Sequence, residues 1–100
     1  MLRITPLELP QPPKQIFDRA AQATRELAWE IVAEAPVEGR IEATDTTLWF
    51  GFKDDVVIRI TPTVSGSRLD IRSKSRVGRS DVETNAARIR RFVDVMHPHG

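Results

Sequence analysis

The spacing of apolar residues changes twice along this chain, and the two changes restrict the folds that it can adopt. From Lys14 to Ala28 apolar residues recur every three or four positions, as on one face of an amphipathic helix. From Trp29 to Lys74 apolar and polar residues largely alternate, as in strands with one buried face. After Gly78 the helical spacing returns. The sequence therefore predicts a helix, a set of strands and a second helix.

The first helix is predicted from a continuous apolar stripe. Its members are Ile16, Ala20, Ala23 and Leu27, widened by Phe17, Ala21 and Ala28. Pro13 suits the first turn, because the N–H that proline lacks has no helical partner there. Pro6 and Pro10 interrupt the strand-like residues ahead of the helix, and proline cannot donate to a strand ladder. Residues 1–13 are therefore predicted to form an extended arm or an edge strand.

Four strands are predicted between the helices. Their inward residues are expected to be Trp29, Ile31 and Ala33, then Ile41 and Ala43, then Val56, Ile58 and Ile60, and finally Leu69 and Ile71. Turn residues at Glu38-Gly39 and Ser65-Gly66 join neighbouring strands over short distances. Strands joined in this way pair antiparallel, with one buried face and one solvated face.

The second helix is predicted to start at a capping box formed by Ser80 and Glu83. Its buried stripe is expected to contain Val82, Ala86, Ile89, Val93 and Met96, with Phe92 beside them. Two helices with one apolar stripe each must cover the single buried face of the sheet. The predicted fold class is an α+β two-layer sandwich, with two helices on one face of a four- to five-stranded antiparallel sheet. We expect one domain over residues 1–100, with 97–100 as a flexible tail.

Composition narrows the classes of function. The absence of cysteine excludes disulfides and thiolate metal sites. Residues 1–67 carry seven Lys and Arg against ten Asp and Glu, whereas residues 68–100 carry eight against four. The basic C-terminal part lacks the interleaved aromatic residues that stack on single-stranded nucleic acid, so nucleic-acid binding is disfavoured. We expect no membrane span and no signal peptide in this chain, which leaves a cytoplasmic and a periplasmic or envelope-associated location both open.

The aromatic segment, residues 49–55 with the sequence Trp-Phe-Gly-Phe-Lys-Asp-Asp, is unusual for a connection between strands. In one interpretation Phe50 and Phe52 close the end of the core and Trp49 covers its rim. In a second, Trp49 is an exposed recognition anchor, since tryptophan is enriched at interface hot spots. In a third, the segment inserts at a membrane interface, where Trp and Phe beside Lys are favoured. The sequence leaves these alternatives open.

A basic run, residues 72–80, leads into the second helix. Arg76 and Arg79 lie near the predicted N-terminus of the second helix. Residues in such a position can bind an anion, although Asp81 would repel one. The run lacks the spacing of a phosphate-binding loop. In the alternative interpretation, Arg72 and Lys74 are solvated partners of acidic residues, namely Glu42 and Asp70, in cross-strand pairs.

Catalytic chemistry is poorly supported by the residue types present. Nucleophilic catalysis requires a Ser, Cys or Thr beside an oriented base, and both histidines, His97 and His99, lie in the last four residues. Asp54 and Asp55 are adjacent carboxylates that suit a turn better than acid–base work. We expect no catalytic residue, no metal ligand and no cofactor.

These motifs resemble the domain-of-unknown-function family 1499 of bacteria and plastid-bearing organisms. The resemblance is carried by residues 39–47, 49–56 and 70–81, together with Asn85, Arg88 and Ile89. It implies that the aromatic segment and the basic run are part of one arrangement that family members share. It supplies no established activity. Members of the family commonly carry this domain behind membrane-spanning segments or an export signal, or else alone.

The sequence and the resemblance together lead to one functional expectation. We expect a non-catalytic binding or interaction domain of an envelope- or membrane-associated protein. The alternative is an enzyme or carrier for a small anionic ligand that uses Asp54 or Asp81 and Arg76. The candidate binding residues are Trp49, Phe52, Asp54, Arg76, Arg79, Asp81 and Asn85. Asp45, Asp54, Arg76, Asp81 and Asn85 are expected to converge in a polar network at the sheet edge.

Overall fold

The computed structural model describes residues 2–3, 6–46, 53–75 and 82–96. Within these residues the chain forms six strands and two helices. They are β1 (Leu2–Arg3), β2 (Leu7–Leu9), α1 (Pro13–Glu26), β3 (Glu30–Ala35), β4 (Arg40–Thr46), β5 (Lys53–Thr63), β6 (Gly66–Ser75) and α2 (Val82–Met96).

The strands form one antiparallel sheet in which β6, β5, β4 and β3 are neighbours in that order. β1 and β2 both pair with β6, so the arm forms an interrupted strand along one edge. β3 lies at the other edge. The turn before β4 requires glycine, because Gly39 has φ +70° and a Cβ there would lie 2.2 Å from the Ile60 carbonyl oxygen. The backbone N–H of Ile60 donates to the Gly39 carbonyl.

Both helices cover the same face of the sheet. The buried sheet residues on that face are Ile41, Ala43, Val56, Ile58, Ile60, Leu69 and Ile71, and they pack against Ile16, Phe17 and the small residues of α1 and against Ile89, Phe92 and Met96 of α2. Arg19 of α1 also donates a hydrogen bond to the carbonyl of Met96 in the last turn of α2. The predicted fold class, an α+β arrangement with two helices on one face of an antiparallel sheet, is confirmed.

The end of α1 differs from the sequence prediction. Ala28 was placed on the apolar stripe, but the helix ends at Glu26 and Ala28 is exposed with φ 62°. The N–H groups of Ala28 and Trp29 bond to the carbonyls of Arg25 and Thr24, which is a Schellman arrangement. This turn brings Trp29 into the core, where its ring stacks on Phe92 with centroids 5.9 Å apart.

Substitution of Ala28 by glycine is expected to raise the free energy of unfolding by about 1 kcal/mol. A left-handed conformation strains any residue with a Cβ, and glycine removes that strain. The control is Ala87→Gly inside α2, which is expected to lower stability by about 1 kcal/mol because glycine is a poor helix former. Urea unfolding followed by circular dichroism measures both. A loss of stability in Ala28→Gly would contradict the strain assigned to this position.

The alternation predicted for β3 also fails at one point. The register between β3 and β4 shifts between Ile31 and Ala33, which indicates a β-bulge at Val32. As a result Ala33 is exposed, although a strict alternation places it on the buried face. Trp29, predicted as the first inward residue of this strand, is buried but precedes it.

Candidate functional site

Two carboxylates face each other at one end of the sheet. β4 and β5 extend further than the predicted strands, and Asp45 of β4 is the direct partner of Asp54 of β5. Asp54 is therefore not part of a turn, as the sequence suggested, but an inward position in line with Val56 and Ile58. Like charges directly opposite one another destabilise a strand pair. A cation is needed to hold both carboxylates there.

Arg88 of α2 supplies that cation. Its Nε donates to Asp45 Oδ2 at 2.8 Å, and its Nη2 donates to Asp54 Oδ2 at 2.5 Å. The Arg88 side chain is only 1% exposed, and that of Asp54 is 5% exposed. Each carboxylate thus has a charge-assisted hydrogen bond from the same guanidinium, whose fixed fork of donors can reach two acceptors at once.

The other terminal nitrogen of the guanidinium, Nη1, reaches two neutral side chains. Arg88 Nη1 lies 2.9 Å from Ser73 Oγ of β6 and 2.5 Å from Asn85 Oδ1 of α2. The Ser73 hydroxyl in turn donates to Asn85 Oδ1 at 2.6 Å. We call these five residues the Arg88 network: Asp45, Asp54, Ser73, Asn85 and Arg88.

The network joins α2 to three neighbouring strands. Asp45 lies in β4, Asp54 in β5 and Ser73 in β6, while Asn85 and Arg88 stand one helical turn apart on α2. Burying a guanidinium is costly unless its donors are satisfied, and here four acceptor groups surround it. The arrangement therefore fixes where the helix rests on the sheet.

The face of α2 that is buried is rotated from the predicted stripe. Ala86 and Val93, predicted as core residues, are only half-buried, whereas Asn85 and Arg88 are buried beside Ile89 and Phe92. The prediction counted apolar side chains alone, so it missed two polar residues on the inner face. The spacing of Asn85, Arg88 and Phe92 (i, i+3, i+7) was the available signal.

Of the seven candidate binding residues, the structure brings together Asp54 and Asn85. It adds Arg88 and Ser73, which the sequence analysis did not select as site residues, and Asp45, which it placed in the expected polar network. The other candidates lie outside the described residues: Trp49, Phe52, Arg76, Arg79 and Asp81. The capping serine, Ser80, and both histidines also lie outside them.

Two segments of the chain start and end around the Arg88 network. Residues 47–52 connect Thr46 to Lys53, which are direct partners on β4 and β5. Residues 76–81 follow Ser75, the direct partner of Asp54, and precede α2. Residues 47–52 and 76–81 are therefore attached to the end of the sheet at which the network lies.

The solvated face of the sheet carries charges in a register that differs from the predicted one. Arg72 lies opposite Val57, and Lys74 lies opposite Asp55, so Glu42 and Asp70 are not their direct partners. Asp70 is the direct partner of Arg59. Lys74 still lies opposite a carboxylate, that of Asp55. The predicted cross-strand pairing of opposite charges therefore holds for Lys74 with a different partner.

A metal site and a membrane-spanning helix are both absent from the part of the chain that the structure describes. No group of three or more His, Cys, Asp or Glu side chains there has the arrangement of a metal site. None of its helices is long and apolar enough to cross a membrane.

Known protein structures share this fold, including the two that follow. Protein CV1439 from Chromobacterium violaceum, a structural genomics target, aligns with a TM-score of 0.68 at 15% identity over 95% of this chain and 93% of that chain. Protein MLL2253 from Mesorhizobium loti, also a structural genomics target, aligns with a TM-score of 0.64 at 13% identity over the same shares of the two chains. At these identities the likeness shows the fold alone.

Sequence comparison gives the family. No curated protein matches the chain. The profile of the family described as "Protein of unknown function (DUF1499)" matches residues 2–96, which include all five members of the Arg88 network. That match spans nearly the whole chain and confirms the resemblance seen in its motifs. The chain belongs to the DUF1499 family of proteins of unknown function.

Proposed function

We propose that this chain is a non-catalytic binding domain of an envelope- or membrane-associated protein. Its contact surface lies at the sheet end that carries the aromatic segment and the basic run, with Trp49, Arg76 and Arg79 as the contact residues. The Arg88 network is the support on which this surface rests.

The observation that carries the proposal is the internal pairing of the network. A catalytic acid or base needs access to a substrate proton, but Asp54 is buried and bonded to Arg88. Asn85 and Ser73 bond to each other and to the same guanidinium. Such pairing suits a rigid scaffold, and it leaves recognition to the residues attached around it.

The alternative, an enzyme or carrier for a small anionic ligand, is weakened by the same geometry. It requires Asp54 or Asp81 as an acid–base group and Arg76 as an anchor. Asp54 is held by an internal cation, and its direct partner Asp45 adds a second negative charge at this end of the sheet. An anion approaching the network would meet two carboxylates, which disfavours its binding there.

Fluorescence of Trp49 tests the proposal. The measurement uses a Trp29→Phe background, because Trp29 is buried against Phe92 and phenylalanine preserves an aromatic contact there. Trp49 is expected to emit as an exposed indole, to be quenched by acrylamide, and to shift to shorter wavelength on adding vesicles that contain phosphatidylglycerol. The matched control, Trp49→Phe, keeps Trp29 alone and gives the emission of a buried indole.

Two results would contradict the proposal. The first is a buried, unquenched emission of Trp49, which would assign the aromatic segment to the core. The second is a rise in melting temperature with phosphate or sulfate that disappears in Arg76→Ala/Arg79→Ala, which would favour the small-anion alternative. An equal response to these anions in the wild-type and double-variant proteins indicates general salt stabilisation and leaves the binding-domain proposal in place.

A further inference from the structure

The turn between β3 and β4 holds an apolar side chain out in solvent. Val37 in this turn is fully exposed. The N–H groups of Glu38 and Gly39 close the turn, because they donate to the carbonyls of Ala35 and Pro36 at 3.1 and 3.2 Å. The side chain of Val37 is therefore presented from a fixed backbone. Little conformational freedom is lost when such a side chain packs against another surface.

A groove of about 420 Å³ lies beside this turn, between the turn and the start of α1. Its buried walls include Phe17 and Ile60, which are 5% and 4% exposed. Its rim includes Pro36, Val37 and Pro62, which are all exposed. The volume is within the range of about 300–1,000 Å³ that is typical of ligand sites. A single valine side chain therefore fits into the groove.

An exposed apolar side chain and an apolar groove on one surface meet the requirement of a symmetric contact between two copies. In a two-fold contact, each residue of one copy touches the same residues that its equivalent touches in the other. A two-fold axis along the hairpin side of the groove places Val37 of each copy in the groove of the other. Both valines then leave water, and both grooves are filled.

The turn also carries a carboxylate that is only partly neutralised. Arg40 Nη1 lies 3.6 Å from Glu38 Oε1, and Arg40 Nε lies 3.3 Å from Glu42 Oε2. One guanidinium is thus shared between two carboxylates, and the side chain of Glu38 is 61% exposed. The other glutamate that lines the groove, Glu34, is paired with Arg25 at 3.2 Å.

The opposite wall of the groove offers a cation. Lys14 in the first turn of α1 lines the groove and is exposed, and no carboxylate of the described residues lies within ion-pair distance of it. Asp18, which also lines the groove, lies one helical turn further along α1. Glu38 follows Val37 in the chain, so a Val37 side chain in the groove brings Glu38 to the groove rim. The attraction there comes from Lys14.

We propose that this surface binds a second copy of the chain in a two-fold symmetric dimer. Val37 of each copy fills the groove of the other, and Glu38 of each copy pairs with Lys14 of the other. The contact goes beyond the proposed function, because it surrounds the turn before β4, whereas Asp45 of the Arg88 network lies near the far end of that strand.

Sedimentation equilibrium of the full chain tests for the dimer. One turn and one groove from each copy bury less than the roughly 1,200–2,000 Å² of a stable specific interface. We therefore expect a weak dimer with a dissociation constant of about 0.1–1 mM. The NMR signals that shift on dilution are expected to belong to residues 36–39 and to the first turn of α1. A chain that stays monomeric at about 1 mM, or shifts confined to other residues, would overturn the proposal.

Two fully exposed valines provide a matched pair of variants. Val37→Ser removes an apolar group from both halves of the contact, and it is expected to weaken the dimer at least about tenfold. Val64 is equally exposed, lies in the turn between β5 and β6, and is not among the described residues that line the groove. Val64→Ser is therefore expected to leave the dissociation constant unchanged. Equal effects of the two variants, or no effect of Val37→Ser, would contradict the proposed contact.

Exchange of charges tests the ionic pair. Lys14→Glu and Glu38→Lys each bring like charges together in both halves of the dimer, and each is expected to weaken it about two- to tenfold. The double variant Lys14→Glu/Glu38→Lys restores opposite charges in exchanged positions, and it is expected to recover the wild-type affinity. An equimolar mixture of the two single variants is likewise expected to associate more tightly than either variant alone. If neither the double variant nor the mixture recovers affinity, Lys14 and Glu38 do not meet across the axis and the proposal fails.

Discussion

Replacement of Arg88 by methionine is expected to lower the free energy of unfolding by about 3–5 kcal/mol. Removing one partner of a buried ion pair leaves the other charge without compensation, and here two carboxylates, Asp45 and Asp54, would face each other across the strand pair. In a domain of this size the melting temperature would fall by roughly 4–8 °C for each kcal/mol. Urea unfolding and thermal melting by circular dichroism measure the loss.

Arg91, which follows Arg88 by three residues on α2, offers a matched control. Its side chain is 60% exposed, and its Nη2 lies 3.9 Å from Asp45 Oδ2. Arg91→Met is expected to change stability by no more than about 0.5 kcal/mol, as for most surface substitutions. If both arginine variants lose the same stability, the network does not hold α2 on the sheet.

A rescue variant keeps the prediction testable if Arg88→Met fails to fold. Adding Asp45→Asn and Asp54→Asn removes both uncompensated charges while keeping the shape of the side chains. The triple variant is expected to be more stable than Arg88→Met by about 1–3 kcal/mol, since a neutral amide is cheaper to bury than a carboxylate. A triple variant no more stable than Arg88→Met would show that charge is not the cause of the loss.

Replacement of Phe92 by alanine is expected to cost about 3–5 kcal/mol of stability. The Phe92 side chain is fully buried, and the loss includes both its transfer from water and the cavity that it leaves. It also removes the ring on which Trp29 stacks. Near-ultraviolet circular dichroism of Trp29 is therefore expected to weaken together with the melting temperature.

The neighbouring residue Val93 serves as the control for this prediction. It is only half-buried, although the sequence placed it in the core stripe and placed Phe92 beside it. Val93→Ala is expected to cost about 1 kcal/mol, since less apolar area leaves the core. A larger loss in Val93→Ala than in Phe92→Ala would restore the predicted orientation of α2.

The large losses of stability predicted for the Arg88 and Phe92 variants have one structural cause in common. Phe92 and Arg88 stand one turn apart on the buried side of α2, so a single rotation of this helix decides both positions. The rotation is set where the guanidinium meets β4 and β5.

The fold class follows from local patterns in the sequence. The change of apolar spacing from helical to alternating and back gave two helices around a run of strands, and the turn residues near Gly39 and Gly66 made the strands antiparallel neighbours. These signals are local, because each depends on which side chains of one element face a common apolar interior. The motifs were specific enough to identify the family as well.

The roles of the polar residues depend on contacts that form only in the folded chain. The sequence suggested a turn for Asp54 and a polar network that includes Asp45 and Asp54, and it gave Arg88 no place in that network. The register of β4 and β5 sets the two carboxylates opposite each other, and Arg88 of α2 bonds to both. Ala28 likewise takes a strained conformation because the chain must turn Trp29 onto Phe92. A charge or a strained backbone is acceptable in such a position only through partners that are distant in the sequence. No local spacing records those partners, and folding supplies them.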